Sequence, residues 1–509
     1  MKSTYGRPLV VLAAAALSAC AAGPPAVPFT MVAPAATAAT ATPAQWQAPL
    51  PHGGQMSELS LWWQQFNDPV LVQLIDAAQS VSPSIASAAS RIEQSRARRT
   101  ASAAALLPTL DASASATRGR QDFVSPLGSI GSIGVQSAWE IDLFGGRRAA
   151  RTAAQARLDG SQAAWHDARV SVAAEVAISY INLRACEAQT AQARIDAASR
   201  SETARLTELS RQAGFEAPAS AALARASAAQ GNSLLTQRIA QCDVLVKGLV
   251  ELTGVDEPTL RSRIVDGRAR LPDPPQINVA GVPAQVLAQR PDIATAEREV
   301  VAASADVSQA EAQRYPRIGL NGSISAARVE SGLGNENGLL WSIGPVTVSL
   351  PLFDGGTRRA NVVAAQARFD EAGALYAGKL RTAVREVEEA LVALQSTADR
   401  NTDAQVASEG FAVSFRATEA RFKGGLASLF ELEDARRSAL QAQIALIDLQ
   451  RERSSAWVRL YRALGGGWSA ADSLRSGGWS PADSLRSGGS SIPETSLIQT
   501  ATTARRATP

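Results

Sequence analysis

The chain has 509 residues, 46% of them apolar but only 5% aromatic, and much of the apolar share is alanine. Burial returns about 25 cal/mol per Å² of apolar surface, so alanine drives a thick solid core poorly and suits thin layers of closely spaced helices. A net charge of +3 is too small to argue for a nucleic-acid partner, and the run RARR from Arg96 to Arg99 reads as a solvated helix face.

Residues 1–19 read as a bacterial export signal: Lys2 and Arg7, an apolar stretch from Leu9 to Leu17, then LSAC closing on Cys20. This ending resembles a lipobox, which implies cleavage before Cys20 and diacylglycerol on its thiol; the alternative is an ordinary signal peptide with a chance cysteine. Ala21, in place of an aspartate, favours sorting to the outer membrane. No later run reaches the roughly 18 apolar residues of a membrane-spanning helix, so any spanning element must be a β-barrel. Residues 20–58, rich in Ala, Pro and Thr, read as a flexible tether from the lipid.

From Leu59 the pattern changes. LWWQQFNDPVLVQLIDAAQ contains a short helix, with Asp68 and Pro69 as cap and first-turn pair. A second helix spans about Ile85 to Ala105 and ends before Pro108. The period then becomes two: Leu110, Ala112, Ala114 and Ala116 alternate with Asp111, Ser113, Ser115 and Thr117, the mark of a strand with unlike faces. A second strand is expected from Ile133 to Phe144. Arg147 to Ala213 contains no proline and one glycine, room for a helix of about 100 Å at 1.5 Å per residue. After a turn at Gly214 to Pro218, a returning helix runs to about Leu252.

The second half repeats this plan. AQARLD at Ala154 returns as AQARFD at Ala365; Gly214 meets Gly425 and Gly254 meets Gly465, at an offset of about 211 residues that slips upstream to about 208. Arg317 to Arg328 reads as a strand and Leu339 to Phe353 as its partner. Val384, Val387, Leu391 and Leu394 form a heptad-like seam. KGGLAS, Lys423 to Ser428, is the second turn, and the last helix ends at Ala463 to Trp468. The expected organisation is a first repeat at 59–265, a second at 266–468 and a disordered tail at 469–509 carrying an 11-residue tandem.

Export places cysteines in an oxidising compartment. Cys186 and Cys242 each lie 28 residues from Gly214, at one height on the facing helices of a hairpin. That predicts a disulfide, provided helix rotation brings the Cα atoms within about 7 Å; the alternative is two buried, unpaired thiols.

Two strands per repeat make four per chain. Four strands cannot close, open edges are not tolerated in lipid, and outer-membrane barrels begin at about eight strands. Several chains must therefore share one barrel, with their long helices as staves of a hollow tube below it.

Here a resemblance enters. Gln285 to Leu320 (QVLAQRPDIATAEREVVAASADVSQAEAQRYPRIGL) resembles a signature of the TolC-type outer membrane factors, in the lipoprotein branch that includes OprM and NodT. WEIDLFGGRR (Trp139 to Arg148), LPLFDGGTRR (Leu350 to Arg359), ARFKGGLASLFELEDARRS (Ala420 to Ser438) and LYRALGGGW (Leu460 to Trp468) are similar to its other segments. The resemblance implies an α+β membrane protein: a homotrimer with a 12-stranded barrel, four strands per chain, continued by a helical periplasmic tunnel. It further implies a lipid-anchored outer-membrane location, a periplasmic adaptor and an inner-membrane pump as partners, and export of antibiotics, dyes, solvents or aromatic acids such as fusaric acid. An exit duct for type I protein secretion has the same architecture and stays open. The turns at Gly214 and at Gly424 and Gly425 are the expected periplasmic tips and adaptor contacts. Relatives often carry an aspartate where this chain has Ala427, so that acidic ring is not carried over; just beyond it, Glu431 or Glu433 reads as a replacement ring or as a solvated helix face, and Asp434 matches a residue usual in the family segment. His52 and His166 lack partners at metal spacing; no catalytic site, metal or cofactor is expected.

Overall fold

The structure is a computed structural model, and it describes residues 46–47, 59, 62–120, 127–275, 277, 287–331 and 334–468. The expectations placed on Cys20, on the signal segment, on His52 and on residues 469–509 lie outside the described residues. A 3-10 turn at Trp62–Phe66 leads into α1 (Pro69–Val81) and α2 (Pro83–Ala104). Asp68 caps α1 by accepting the N–H groups of Val70 and Leu71, ahead of Pro69 in the first turn. Ser82 and Pro83 do the same for α2, which therefore opens two residues earlier than its apolar pattern indicates.

The chain then forms β1 (Thr109–Gly119), β2 (Gly128–Ile141), α3 (Gly146–Gln212), α4 (Pro218–Thr253) and α5 (Glu257–Ile264). The second pass gives α6 (Pro291–Ala312), β3 (Arg317–Ser331), β4 (Gly334–Ser349), α7 (Thr357–Lys423) and α8 (Leu429–Ala463). The two passes match closely. α2 and α6 each have 22 residues, α3 and α7 each have 67, and the returning helices have 36 and 35. At 1.5 Å per residue, α3 and α7 are each about 100 Å long.

The strands form one antiparallel sheet in the order β1-β2-β3-β4. Strand boundaries differ from the periodic reading. β2 starts at Gly128 because GSIGS, which shows little alternation, pairs on both sides, with β1 and β3. It stops at Ile141 because the Asp142 carboxylate accepts the Arg147 and Arg148 N–H groups and turns the chain into α3. In the same way β4 begins at Gly334, opposite the last residues of β3, and ends at Ser349, ahead of Pro351 and the Asp354 carboxylate that accepts the Gly356 and Arg358 N–H groups.

The main core sits at the waist of the long helices. Trp62, Leu71 and Leu74 pack there with Tyr180 and Ile181 of α3, Leu249 of α4, Leu391 of α7 and Trp457 and Tyr461 of α8. The Val384 to Leu394 seam belongs to this cluster. Below it, only Thr397 and Ser408 of α7 are buried among the described residues. Elsewhere the layers are thin and alanine-lined, as where Ala153 and Ala156 meet Ala302 and Ala305. Trp46, expected in a free tether, is buried in the waist core, and the Gln47 N–H donates to Glu388 of α7. The segment before Leu59 is therefore pinned at that point, because an indole buries more surface than the surrounding Ala and Pro residues.

Candidate functional site

The register gives the sheet two unlike faces. On one, Ile133, Val135, Trp139 and Ile141 of β2 stand opposite Ala326, Ile324, Leu320 and Ile318 of β3, which stand opposite Leu339, Trp341, Val346 and Val348 of β4. A bulge makes this possible: the ladder shifts between Leu320 and Gly322, so β4 presents odd-numbered residues through Ile343 and even-numbered ones from Val346. One extra residue reverses the alternation and keeps Trp341 and Ile343 on the same side as Val346 and Val348, while Ile130, Val329 and Leu340 fall on the other. On the other face, Asp111 pairs with Gln136, and serine hydroxyls meet across the ladder at 2.9 Å in Ser115–Ser132 and Ser323–Ser342. The apolar face is uncovered in the single chain, with Trp341 71% and Ile343 84% exposed. Among the described residues, β1 and β4 are edges with no further strand beside them. A continuous apolar face of this size calls for lipid or another chain, and two open edges call for another strand. No described helix is long and apolar enough to cross a membrane.

At the far ends of the long helices the two turns close alike. The Phe215 N–H donates to the Ser210 carbonyl at 2.9 Å and the Leu426 N–H to the Arg421 carbonyl at 2.7 Å, while Gly214 and Gly425 take φ of +83° and +73°. This is the Schellman arrangement, in which a left-handed residue ends the helix. Gly424 differs: its φ is −87°, so the left-handed conformation falls on Gly425 alone. Phe215, Leu426 and Phe430 stand exposed at these tips.

Between tips and waist, a polar network joins the two hairpins. Glu433 of α8 accepts from the Ser227 hydroxyl of α4 at 2.8 Å and from Arg200 of α3 at 3.1 Å, and it pairs with Arg436. Arg200 also pairs with Asp196 at 2.7 Å, and Arg436 donates to Ser199 and Thr203 of α3. Burial lowers the pKa of the Arg436 guanidinium and the nearby charge of Arg200 adds to this, while Glu433 opposes it. Higher up, Gln189 of α3 donates to Asp448 of α8 at 3.0 Å and accepts from Arg238 of α4 at 2.9 Å. Of the two acidic residues weighed as a replacement ring, Glu433 is thus committed inward and Glu431 forms a capping box with Ser428; the neighbouring Asp434 pairs with Arg437. The network itself escaped sequence reasoning. Its local signals were the i,i+4 pair Asp196–Arg200 and the i,i+3 pair Glu433–Arg436; the partners of Arg200 on α4 and α8 lie 27 and 233 residues away.

Cys186 of α3 and Cys242 of α4 are joined in a disulfide with Cα atoms 5.6 Å apart. Cys186 lies against the waist side of the groove bordered by Gln189, Arg238 and Asp448.

The family model for outer membrane efflux proteins matches residues 74–255 and 282–466, one segment in each half. The chain is 31% identical over 448 residues to the toluene efflux pump outer membrane protein TtgI of Pseudomonas putida, covering 84% of this chain and 93% of that one. It is 32% identical over 418 residues to the outer membrane protein OprJ of Pseudomonas aeruginosa, covering 80% and 87%. Among solved structures, the outer-membrane channel OprN superimposes with a TM-score of 0.75 at 30% identity, covering 84% of this chain and 98% of that one.

Proposed function

The chain belongs to the outer membrane efflux protein family, and from that premise we propose that three copies close a 12-stranded barrel continued by a helical tunnel through which toxic small molecules leave the cell. The observation that carries this reading is the four-stranded sheet with one uncovered apolar face and two open edges. Lipid takes the apolar face, neighbouring copies take the edges, and the serine-rich face lines a water-filled lumen. Each chain contributes α3, α4, α7 and α8 as staves, so the internal duplication supplies six similar hairpins around one pore.

In this reading Cys20 carries the lipid anchor, and the tips at Gly214, Gly424 and Gly425 meet a periplasmic adaptor that connects to an inner-membrane pump. The pump supplies the energy and this chain the exit, so no catalytic group or cofactor is required. The tunnel opens when the lower part of α7 and α8 leaves α3 and α4. The Glu433–Arg200–Arg436 network is the contact that this movement breaks, and the sparse burial of α7 below Leu394 makes the second hairpin the mobile one. The cargo is antibiotics, solvents, dyes or aromatic acids such as fusaric acid, in keeping with the toluene named for TtgI.

The test is intracellular accumulation of a dye, two antibiotics and a toxic aromatic acid in the native host with and without this gene. Higher accumulation on deletion, reversed by the intact gene, supports efflux and ranks the cargo. Unchanged accumulation, together with loss of a secreted protein, would replace small-molecule efflux with protein secretion.

A further inference from the structure

The junction where strands hand over to helices combines two features. The apolar face continues past the last paired residues through Leu143, Leu350 and Leu352, exposed by 59%, 50% and 88%, and ends in Phe353, exposed by 93%. Beside it, Tyr315 stacks on Phe144 with ring centroids 4.9 Å apart. Both long helices then open on paired arginines, Arg147 and Arg148 in α3, Arg358 and Arg359 in α7, with no acidic residue in the first turn.

Cations are the wrong charge for a helix N-terminus, so helix stability does not explain them. The orphan N–H groups are served instead by Asp142 and Asp354, which also pair with Arg148 and Arg358, and Arg147 pairs with Glu140. Arg359 and Arg314, the latter next to Tyr315, are exposed and reach no carboxylate among the described residues. The result is an apolar and aromatic rim followed by unpaired positive charge, once per chain. An apolar rim belongs at the edge of the hydrocarbon, and arginine just beyond it belongs at the depth of phosphate.

We propose that this junction is a binding belt for the phosphate headgroups of anionic phospholipid in the leaflet nearest the helices, with Arg314 and Arg359 as its headgroup contacts and Tyr315 and Phe353 as its apolar edge. The proposal rests on the reading above that the sheet lies in the outer membrane. The occupant is phospholipid rather than a protein, because the positive charge borders an apolar band at one level of the sheet.

The experiment places full-length protein in nanodiscs of phosphatidylcholine mixed with phosphatidylglycerol, and measures enrichment of phosphatidylglycerol in the lipid retained on extraction. The parent protein, the double variant R314Q/R359Q and, as a control near the tip, Arg416→Gln are compared, with trimer retention on gels as the check on folding. The expected result is enrichment by the parent and by Arg416→Gln, and a loss of about fivefold for each arginine removed at the junction. Should R314Q/R359Q misfold, titration of the parent with phosphatidylglycerol at rising salt decides instead, since a headgroup contact weakens with screening. Parent protein that enters the discs without enriching the anionic lipid overturns the belt and leaves the membrane reading standing. Parent protein that enters no disc removes that reading and the belt with it.

Discussion

Glu433→Gln removes the charge that binds the second hairpin to the first while keeping the side chain's shape. In the parent, Glu433 is 17% exposed and Arg436 only 3%, and the carboxylate receives Arg200, Ser227 and Arg436 together. The variant leaves two guanidinium groups sharing one carboxylate, Asp196. Removing one partner of a buried ion pair costs about 3–5 kcal/mol; taking the lower end, since the site is open on one side, gives about 3 kcal/mol per chain. At 1.4 kcal/mol per tenfold, a contact made only in the closed tunnel then shifts each chain's closed-to-open ratio by roughly a hundredfold. Single-channel conductance in planar bilayers should show long openings for Glu433→Gln against a mostly closed parent, and cells should gain sensitivity to a large hydrophilic antibiotic. Asp434→Asn, which breaks an exposed pair worth under about 1 kcal/mol, should behave as the parent. Conductance of Glu433→Gln equal to that of the parent would refute the assignment of this network as the closing contact.

Three further outcomes are expected. Ile343→Arg, on the apolar face, should cost about 2–4 kcal/mol at mid-bilayer depth and abolish outer-membrane assembly, whereas Ser325→Arg on the serine-rich face should assemble; equal assembly of the two would mean the faces are assigned wrongly. A non-reducing peptide map should join the peptides of Cys186 and Cys242, and C186S/C242S should lower unfolding stability by up to about 4 kcal/mol for a loop of 56 residues; two free thiols would remove the staple. Asp167 is pushed above the ordinary 3.8 by burial and by the neighbouring Asp292. A carboxyl raised in the folded state favours folding fully below 3.8 and loses that contribution as pH rises through its folded value. Asp167→Asn should therefore melt higher than the parent at neutral pH and match it below 3.8; a lower melting temperature at neutral pH would show that the charge is stabilising.

Much of this architecture was legible in the chain because its signals are local and repeated. Asp68–Pro69, the glycines at the tips and the long stretches without proline act within a few residues, and the offset of about 211 residues ties the second set of elements to the first. Cys186 and Cys242 could be paired because a hairpin of two straight helices converts distance from the turn into height. Strand limits were less legible: Gly128 to Ser132 pairs because neighbours exist on both sides, and the bulge near Gly344 reverses the alternation within β4.

What the sequence alone determined is therefore the long helices and their turns, their duplication and the count of four strands, because backbone hydrogen bonding and turn chemistry are settled between near neighbours. Only the tertiary structure decided that the bulge keeps Trp341 and Ile343 on the same face as Val346 and Val348, that Trp46 is drawn into the waist, and that Glu433 turns inward to Arg200 instead of outward. Those outcomes depend on which side chains meet across as many as 233 residues, and helix rotation and strand register, which set those meetings, are fixed by packing over the whole fold.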